Sequence, residues 1–214
     1  PPVRETQASP AEWNYRNHVQ FHLTEAGRLG YIRHPAAPFG REPVMEVREC
    51  HLPEGPLNDL WPQLEFEPGT GVERVSLRAG EELMLTLESG EPEPPEMQIE
   101  AGISVVHIFE EHSVVVAGEA YLRMEVLGRG FQVSAGSFFQ VNTLIAARMV
   151  EHVLERLPAS METVLDLYCG VGVFAAALVD AGCAVWGIEG SRTAVAHARH
   201  NVPQASFFAG DVGR

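Results

Sequence analysis

Residues Thr163 to Ala175 read Thr-Val-Leu-Asp-Leu-Tyr-Cys-Gly-Val-Gly-Val-Phe-Ala, and this stretch decides the fold. Val164, Leu165 and Leu167 predict a short apolar strand. Gly170 and Gly172 follow at once, and Phe174 to Asp180 predicts a helix. A strand that runs through Gly-x-Gly into a helix is the nucleotide-binding corner of a Rossmann-like sheet. The glycines there let backbone approach a ligand that a side chain would strike. A glycine pair alone is a weak signal, because many α/β turns carry one.

Two acids sharpen the reading. Asp166 stands at the end of the strand, where a chain buried on both faces has no use for a carboxylate unless it meets a cation or hydroxyls. One strand on, Ala184 to Glu189 is again apolar and again ends in an acid. An acid at that second tip commonly takes a ribose diol. The pair fits S-adenosylmethionine, with Asp166 near the methionine end or its surrounding loop and Glu189 on the ribose. The plainer alternative is an ordinary α/β crossover with two surface acids.

Outward from this corner, the spacing predicts a strand over 163–168, a helix over 173–181, a strand over 184–189, a helix over 191–201 and a strand beginning at Ser206. Alternation of this kind builds a parallel sheet. Asp211 follows the third strand, where an acid can face an adenine amine or simply serve a turn. Upstream, Asn142 is a suitable N-cap for a helix to about Leu157. Its Ala146, Met149, Val150, Val153, Leu154 and Leu157 recur at three and four, which predicts one buried face.

Residues 1–136 read differently. A hairpin is expected over 17–33, with Val19, Phe21 and Leu23 alternating before the turn at Glu25-Ala26-Gly27. Arg16, His18, His22, Arg28, Arg33 and His34 decorate it, either as a phosphate-facing ribbon or as a solvated polar face. Further strands are expected at Val44–Cys50, in a hairpin over 71–89, and at 103–109, 113–117, 121–127 and 131–134. A short helix or turn is expected over 53–64. Glu88 to Glu96, rich in Pro and acid, predicts an exposed loop. The expected division is a β-rich unit over 1–136 and the opening part of a Rossmann-like unit over 137–214. About three strands of a doubly wound sheet are laid down by Arg214, so the chain reads as truncated, and Pro1-Pro2 without Met points the same way.

The chain has 214 residues, with 45% apolar content and a formal net charge of −14. That is ample for a core, and no apolar run reaches membrane-spanning length. There is no signal-peptide pattern. Cys50, Cys169 and Cys183 are scattered and odd in number, which argues against a disulfide framework and for a reducing, cytoplasmic setting. Lysine is absent. Residues 42–127 hold 19 acids against 4 arginines, whereas residues 1–41 hold 5 arginines against 3 acids. Phosphate neutralisation dominates non-specific RNA affinity, so an RNA partner would have to meet the N-terminal arginines.

Four separated motifs together resemble the RNA uracil-5 methyltransferase family. They are Trp13-Asn14-Tyr15-Arg16-Asn17, Val47-Arg48-Glu49-Cys50, Ser137-Phe138-Phe139-Gln140-Val141-Asn142 and Asp166-Leu167-Tyr168-Cys169-Gly170-Val171-Gly172. The last two are specific as a pair, since generic Rossmann methyltransferases have the loop without the Phe-Gln-x-Asn segment. The resemblance implies an α/β fold: a β-rich central domain followed by the first half of a Rossmann-like S-adenosylmethionine-dependent methyltransferase domain. It implies methylation of carbon-5 of a uridine in RNA, in 23S rRNA rather than tRNA.

By the same resemblance Gln140, Tyr168, Glu189 and Asp211 line the S-adenosyl-L-methionine site; the strand-turn reading adds Asp166, Gly170 and Gly172, and the hairpin arginines Arg16, Arg28 and Arg33 are expected to contact RNA. Val173 departs from members that carry a polar residue there. Cys50 falls where some members place one thiolate of an iron–sulfur cluster; a single Cys cannot hold one, so a cluster would need upstream cysteines. The family adds a Cys thiolate to carbon-6 of the base and removes the carbon-5 proton with a carboxylate. Neither Cys169 nor Cys183 matches that Cys, so the catalytic pair is expected beyond Arg214 and these residues alone are expected to be inactive. A nicotinamide oxidoreductase using Gly170-x-Gly172-x-x-Ala175 is one rival, opposed by Asp166 and the Phe-Gln-Val-Asn segment. A non-catalytic RNA-binding or assembly module is the other.

Overall fold

The computed structural model describes residues 5–33, 44–98 and 102–213. His34, expected on the first hairpin, lies outside these residues. The strands are β1 (His18–Leu23), β2 (Leu29–Ile32), β3 (Val44–Glu46), β4 (Val72–Ala79), β5 (Leu83–Ser89), β6 (Ser104–Phe109), β7 (His112–Ala117), β8 (Tyr121–Val126), β9 (Arg129–Ser134), β10 (Thr163–Leu167), β11 (Ala184–Glu189) and β12 (Ser206–Ala209). The helices are α1 (Gly55–Leu60), α2 (Thr143–Leu154), α3 (Val173–Asp180) and α4 (Arg192–Asn201).

Seven strands form one sheet in the order β3-β2-β1-β4-β5-β6-β7. The pairs are antiparallel except β5 with β6, which run parallel. A parallel pair needs a crossover rather than a tight turn, and the Pro- and acid-rich segment lies in that connection. Phe21 is fully buried at the centre of this sheet's core. Its ring stacks on Tyr31 at 5.3 Å and meets Trp61 at 5.3 Å. Leu57 of α1 and Leu77 of β4 close the same cluster. The expected strand to Cys50 is shorter: β3 ends at Glu46, opposite Gly30, and one further bond, from the Val47 N–H to the Leu29 carbonyl at 3.0 Å, reaches the start of β2.

β8 and β9 form a separate hairpin. Leu122, Met124, Val126, Phe131 and Val133 alternate along it, and all are buried in one cluster with Val171, Ala175, Ala198 and Phe207. The hairpin thus shares its core with the parallel strands, in which β10, β11 and β12 lie in that order.

Two details differ from the sequence reading. Met149 and Val153 of α2 are exposed, and only Ala146 and Val150 are fully covered, so the helix buries a narrower stripe than its spacing predicts. Among the described residues the parallel sheet is covered on one face only. Leu165, Leu167, Trp186 and Phe208 remain exposed on it. Asp166 therefore does not sit in a strand buried on both sides; the opposite face alone encloses it.

Candidate functional site

The parallel strands end together, and their C-terminal ends open into a cleft of about 650 Å³ lined by Tyr168, Glu189, Gly190, Arg192, Ala209, Gly210, Asp211 and Val212. In open parallel sheets this end is where ligands bind. The site is built from three successive turns.

The first turn leaves β10. Tyr168, Gly170 and Gly172 all take positive φ, at 61°, 54° and 92°. Tyr168 is a bulky residue held where glycine is favoured, and it is 71% exposed to the cleft. Nothing lies within 4 Å of a Cβ built on Gly170, so the turn presents open backbone there. Gly172 caps α3, and a Cβ on it would crowd Val202 at 3.2 Å. α3 carries no acid within its own first turn, but the Ala175 N–H there is already bonded to Asp166 from the end of β10.

The second turn leaves β11. Glu189 accepts the Gly170 N–H through Oε2 at 3.1 Å and the Ser191 N–H through Oε1 at 2.9 Å. Its carboxylate is therefore fixed before any ligand arrives, with lone pairs left to accept from hydroxyls. The third turn leaves β12, where Asp211 accepts the Gly213 N–H at 2.9 Å.

Asp166 lies beneath the first turn. Burial pushes its carboxyl up from 3.8 to about 6, an effect partly offset by the Ala175 backbone N–H. Its Oδ2 is buried without a hydrogen-bond partner. A buried acceptor left unpaired costs on the order of 1–3 kcal/mol, so this oxygen is an observed demand for a donor. Cys169, next to the glycines, is 6% exposed, and burial raises its thiol to about 12, with Asp166 and Glu189 adding to the effect. It packs; it does not ionise.

Tyr168, Glu189 and Asp211 thus share the cleft, with Gly170 bonded to Glu189 and Asp166 under the same turn. Gln140 is not among the cleft's lining residues. Its backbone carbonyl accepts from Asn17 Nδ2 at 2.8 Å, and the next carbonyl, of Val141, accepts from the Asn17 N–H at 2.9 Å. The Phe-Gln-Val-Asn segment is therefore hung from the seven-stranded sheet, with Phe138 left 70% exposed. Arg192, the first residue of α4, was missed in the sequence. Its signal is a position three residues after an acid at a strand tip.

The arginines of the first hairpin are spread out. His22 pairs with Gly30, so Arg33 is level with Val19 while Arg28 sits beyond the far end of β1. Arg28 and Arg33 are separated by roughly 17 Å, five residues at about 3.3 Å each. Arg28 and Arg33 are exposed, whereas Arg16 is half-buried with its Nε enclosed and unpartnered. Cys50 Sγ lies 4.0 Å from the Tyr31 hydroxyl. Among the described residues no three His, Cys, Asp or Glu side chains gather as metal ligands, and Cys50 alone does not fit an iron–sulfur cluster.

The comparisons with known proteins bear on this geometry. The family described as tRNA (uracil-5-)-methyltransferase matches residues 105–207, from β6 through the start of β12. An uncharacterised RNA methyltransferase of Streptomyces avermitilis is 32% identical over 88% of this chain and 44% of its own length. A 23S rRNA (uracil(1939)-C(5))-methyltransferase of Shewanella halifaxensis is 26% identical over 91% of this chain and 48% of its own length. The chain thus spans about half the length of these curated relatives. Among solved structures, the Pyrococcus abyssi tRNA (uracil-54, C5)-methyltransferase, in complex with S-adenosyl-L-homocysteine, superposes with a TM-score of 0.74 at 20% identity. That match covers 95% of this chain and 57% of the other. The Ser137–Asn142 and Asp166–Gly172 motifs lie within the matched span, on a fold shared with that structure, and the chain belongs to the RNA uracil-5 methyltransferase family.

Proposed function

We propose that the chain carries the donor-binding part of an enzyme that methylates carbon-5 of a uridine in RNA, with S-adenosyl-L-methionine as donor. The observation that carries this reading is the convergence of Tyr168, Glu189 and Asp211 on one cleft, beside a glycine turn already bonded to Glu189. The residues fit the donor. Glu189 has free lone pairs for a ribose diol, Asp211 can accept from an adenine amine, and the orphaned Asp166 oxygen can take a donor from the methionine end.

S-adenosylmethionine supplies the electrophilic methyl group. This chain's own residues bind and orient: the open turn at Gly170 lets backbone approach, and the fixed carboxylate of Glu189 limits reorganisation on binding. The sulfur environments support a nucleophile other than Cys169 and Cys183. Cys169 is buried with a raised pKa, and Cys183 is buried with its thiol directed to the Met161 carbonyl. We take 23S rRNA rather than tRNA as the substrate. Arg28 and Arg33 are the exposed cations proposed to meet RNA phosphates, and Arg16 is the cation closer to the body of the sheet. Gln140 is proposed to reach the donor from the segment that Asn17 holds. The β-rich and Rossmann-like units are proposed to divide near residue 136, although the shared core of the β8–β9 hairpin favours a division before Tyr121.

Calorimetric titration with S-adenosylhomocysteine tests the donor reading. Saturable binding is expected, with none of NADH. Binding of NADH instead would restore the oxidoreductase, and binding of neither by folded protein would favour a non-catalytic module. Methylation assays of the full-length protein on unmodified 23S rRNA and tRNA transcripts then test the substrate.

A further inference from the structure

Asn201, the last residue of α4, has every polar atom engaged. Its Oδ1 accepts the Gln132 N–H at 2.8 Å. Its Nδ2 donates to the Gln132 carbonyl at 3.1 Å and to the Val171 carbonyl at 3.0 Å. Its own backbone carbonyl accepts from Arg129 Nη2 at 3.0 Å, and Arg129 also pairs with Asp180 at 2.8 Å. One amide therefore joins the β9 strand, the end of α4 and the glycine turn.

The Val171 carbonyl is the consequential partner. It belongs to the peptide between Val171 and Gly172, flanked by residues with positive φ at 54° and 92°. Glycines in that region have many accessible conformations, and ordering them is costly. Val171 is buried, so its carbonyl has few other donors to turn towards. The Gly170 N–H bonds to Glu189. The turn is thus held at two peptides, Cys169–Gly170 by Glu189 and Val171–Gly172 by Asn201.

We infer that Asn201 is a positioning residue: it fixes the Val171–Gly172 peptide so that the Gly170 turn is held ready for the donor. The inference rests on the donor-binding reading above. The side-chain amide is the one feature that meets both partners, because it donates to two carbonyls and accepts from one N–H at the same time.

The test is S-adenosylhomocysteine affinity and thermal midpoint, measured on the full-length protein for wild type, Asn201→Asp, Asn201→Ser and Arg129→Ala. Asn201→Asp keeps the acceptor for Gln132 N–H but sets lone pairs against two carbonyls. Asn201→Ser keeps a single small hydroxyl and serves if the aspartate variant does not fold. Arg129→Ala loosens the hairpin without touching Val171. We expect about tenfold or greater loss of affinity in the Asn201 variants at temperatures well below their midpoints. Arg129→Ala should lower the midpoint and leave affinity unchanged. Wild-type affinity in a folded Asn201 variant would overturn the inference. So would an equal loss in Arg129→Ala, which would make the effect one of general stability. Absence of binding by the wild type would instead remove the donor reading on which the inference rests.

Discussion

The Gly170 N–H donates to Glu189 Oε2 at 3.1 Å, across 19 positions of sequence, and ties the glycine turn to the tip of the neighbouring strand. The second carboxylate oxygen takes the Ser191 N–H at 2.9 Å. Glu189 thus organises its own surroundings and a ligand's hydroxyls with one group.

Glu189→Gln should therefore weaken the donor more than the removal of one ligand contact would suggest. One oxygen survives as an acceptor, but the new NH₂ must face either Gly170 N–H or Ser191 N–H, donor against donor. Hydrogen bonds to charged groups contribute about 1.5–3 kcal/mol each, which corresponds to roughly a 10- to 100-fold loss of S-adenosylhomocysteine affinity. Calorimetry reads this directly. An affinity within twofold of wild type would show that Glu189 does not hold the ligand.

Gly187 should be fixed by packing alone. A Cβ on it would lie 2.5 Å from Phe207 Cδ1 and 2.8 Å from Cys169 Sγ. Both neighbours are buried, so neither can swing away. Overpacking of this kind costs about 1–3 kcal/mol, and Gly187→Ala should lower the urea midpoint accordingly. Gly130→Ala is the control: nothing lies within 4 Å of its Cβ position, and its midpoint should hold or rise slightly.

The residues that announced themselves in the sequence were those whose spacing is local. The β10 turn, the β11 acid and the Asn142 cap, whose side chain accepts the Ile145 N–H at 3.0 Å, could be read from a few neighbours. Asn201 and Arg78 could not. Their partners are 30 to 72 and 56 to 59 positions away, so nothing near them in the chain marks them. Met149 and Val153 misled for a related reason: helical period names a face, but how wide a stripe is covered depends on what packs there.

Asp166 and His18 should cancel in the acid limb of the stability curve. Burial raises Asp166 to about 6, so the folded chain holds a proton there that the unfolded chain, at about 3.8, has released. Burial, then Arg78 and Arg16, lower His18 to about 4, so between 4 and 6.5 the folded chain lacks a proton that the unfolded chain holds. The Asp166 contribution makes stability rise as pH falls through 6; the His18 contribution makes it fall. Asp166→Asn should expose a loss of stability from pH 6.5 down to 4, and His18→Gln a gain over the same range. Urea midpoints at half-unit pH steps decide it. Curves of unchanged slope in both variants would show that neither group is perturbed.

Arg78 is 6% exposed, and burial lowers its pKa to about 10. Its two partners are backbone carbonyls, Ser137 at 2.9 Å and Ser134 at 3.1 Å. Ser134 also accepts the Ser137 N–H at 3.1 Å, so loss of the guanidinium strands only the Ser137 carbonyl. Arg78→Met keeps most of the volume and removes a costly buried cation, and the stranded carbonyl sets the penalty at about 1–3 kcal/mol. Arg78→Ala adds a cavity and should cost more. Asn17→Ala releases the Gln140 carbonyl from the other end of the same segment. Because both side chains hold residues 134–141, the pair should be non-additive by at least about 0.5 kcal/mol in a double-mutant cycle. Additive losses would mean that the two anchors act on separate pieces of structure, and that the Phe-Gln-Val-Asn segment is not held as a unit by the sheet.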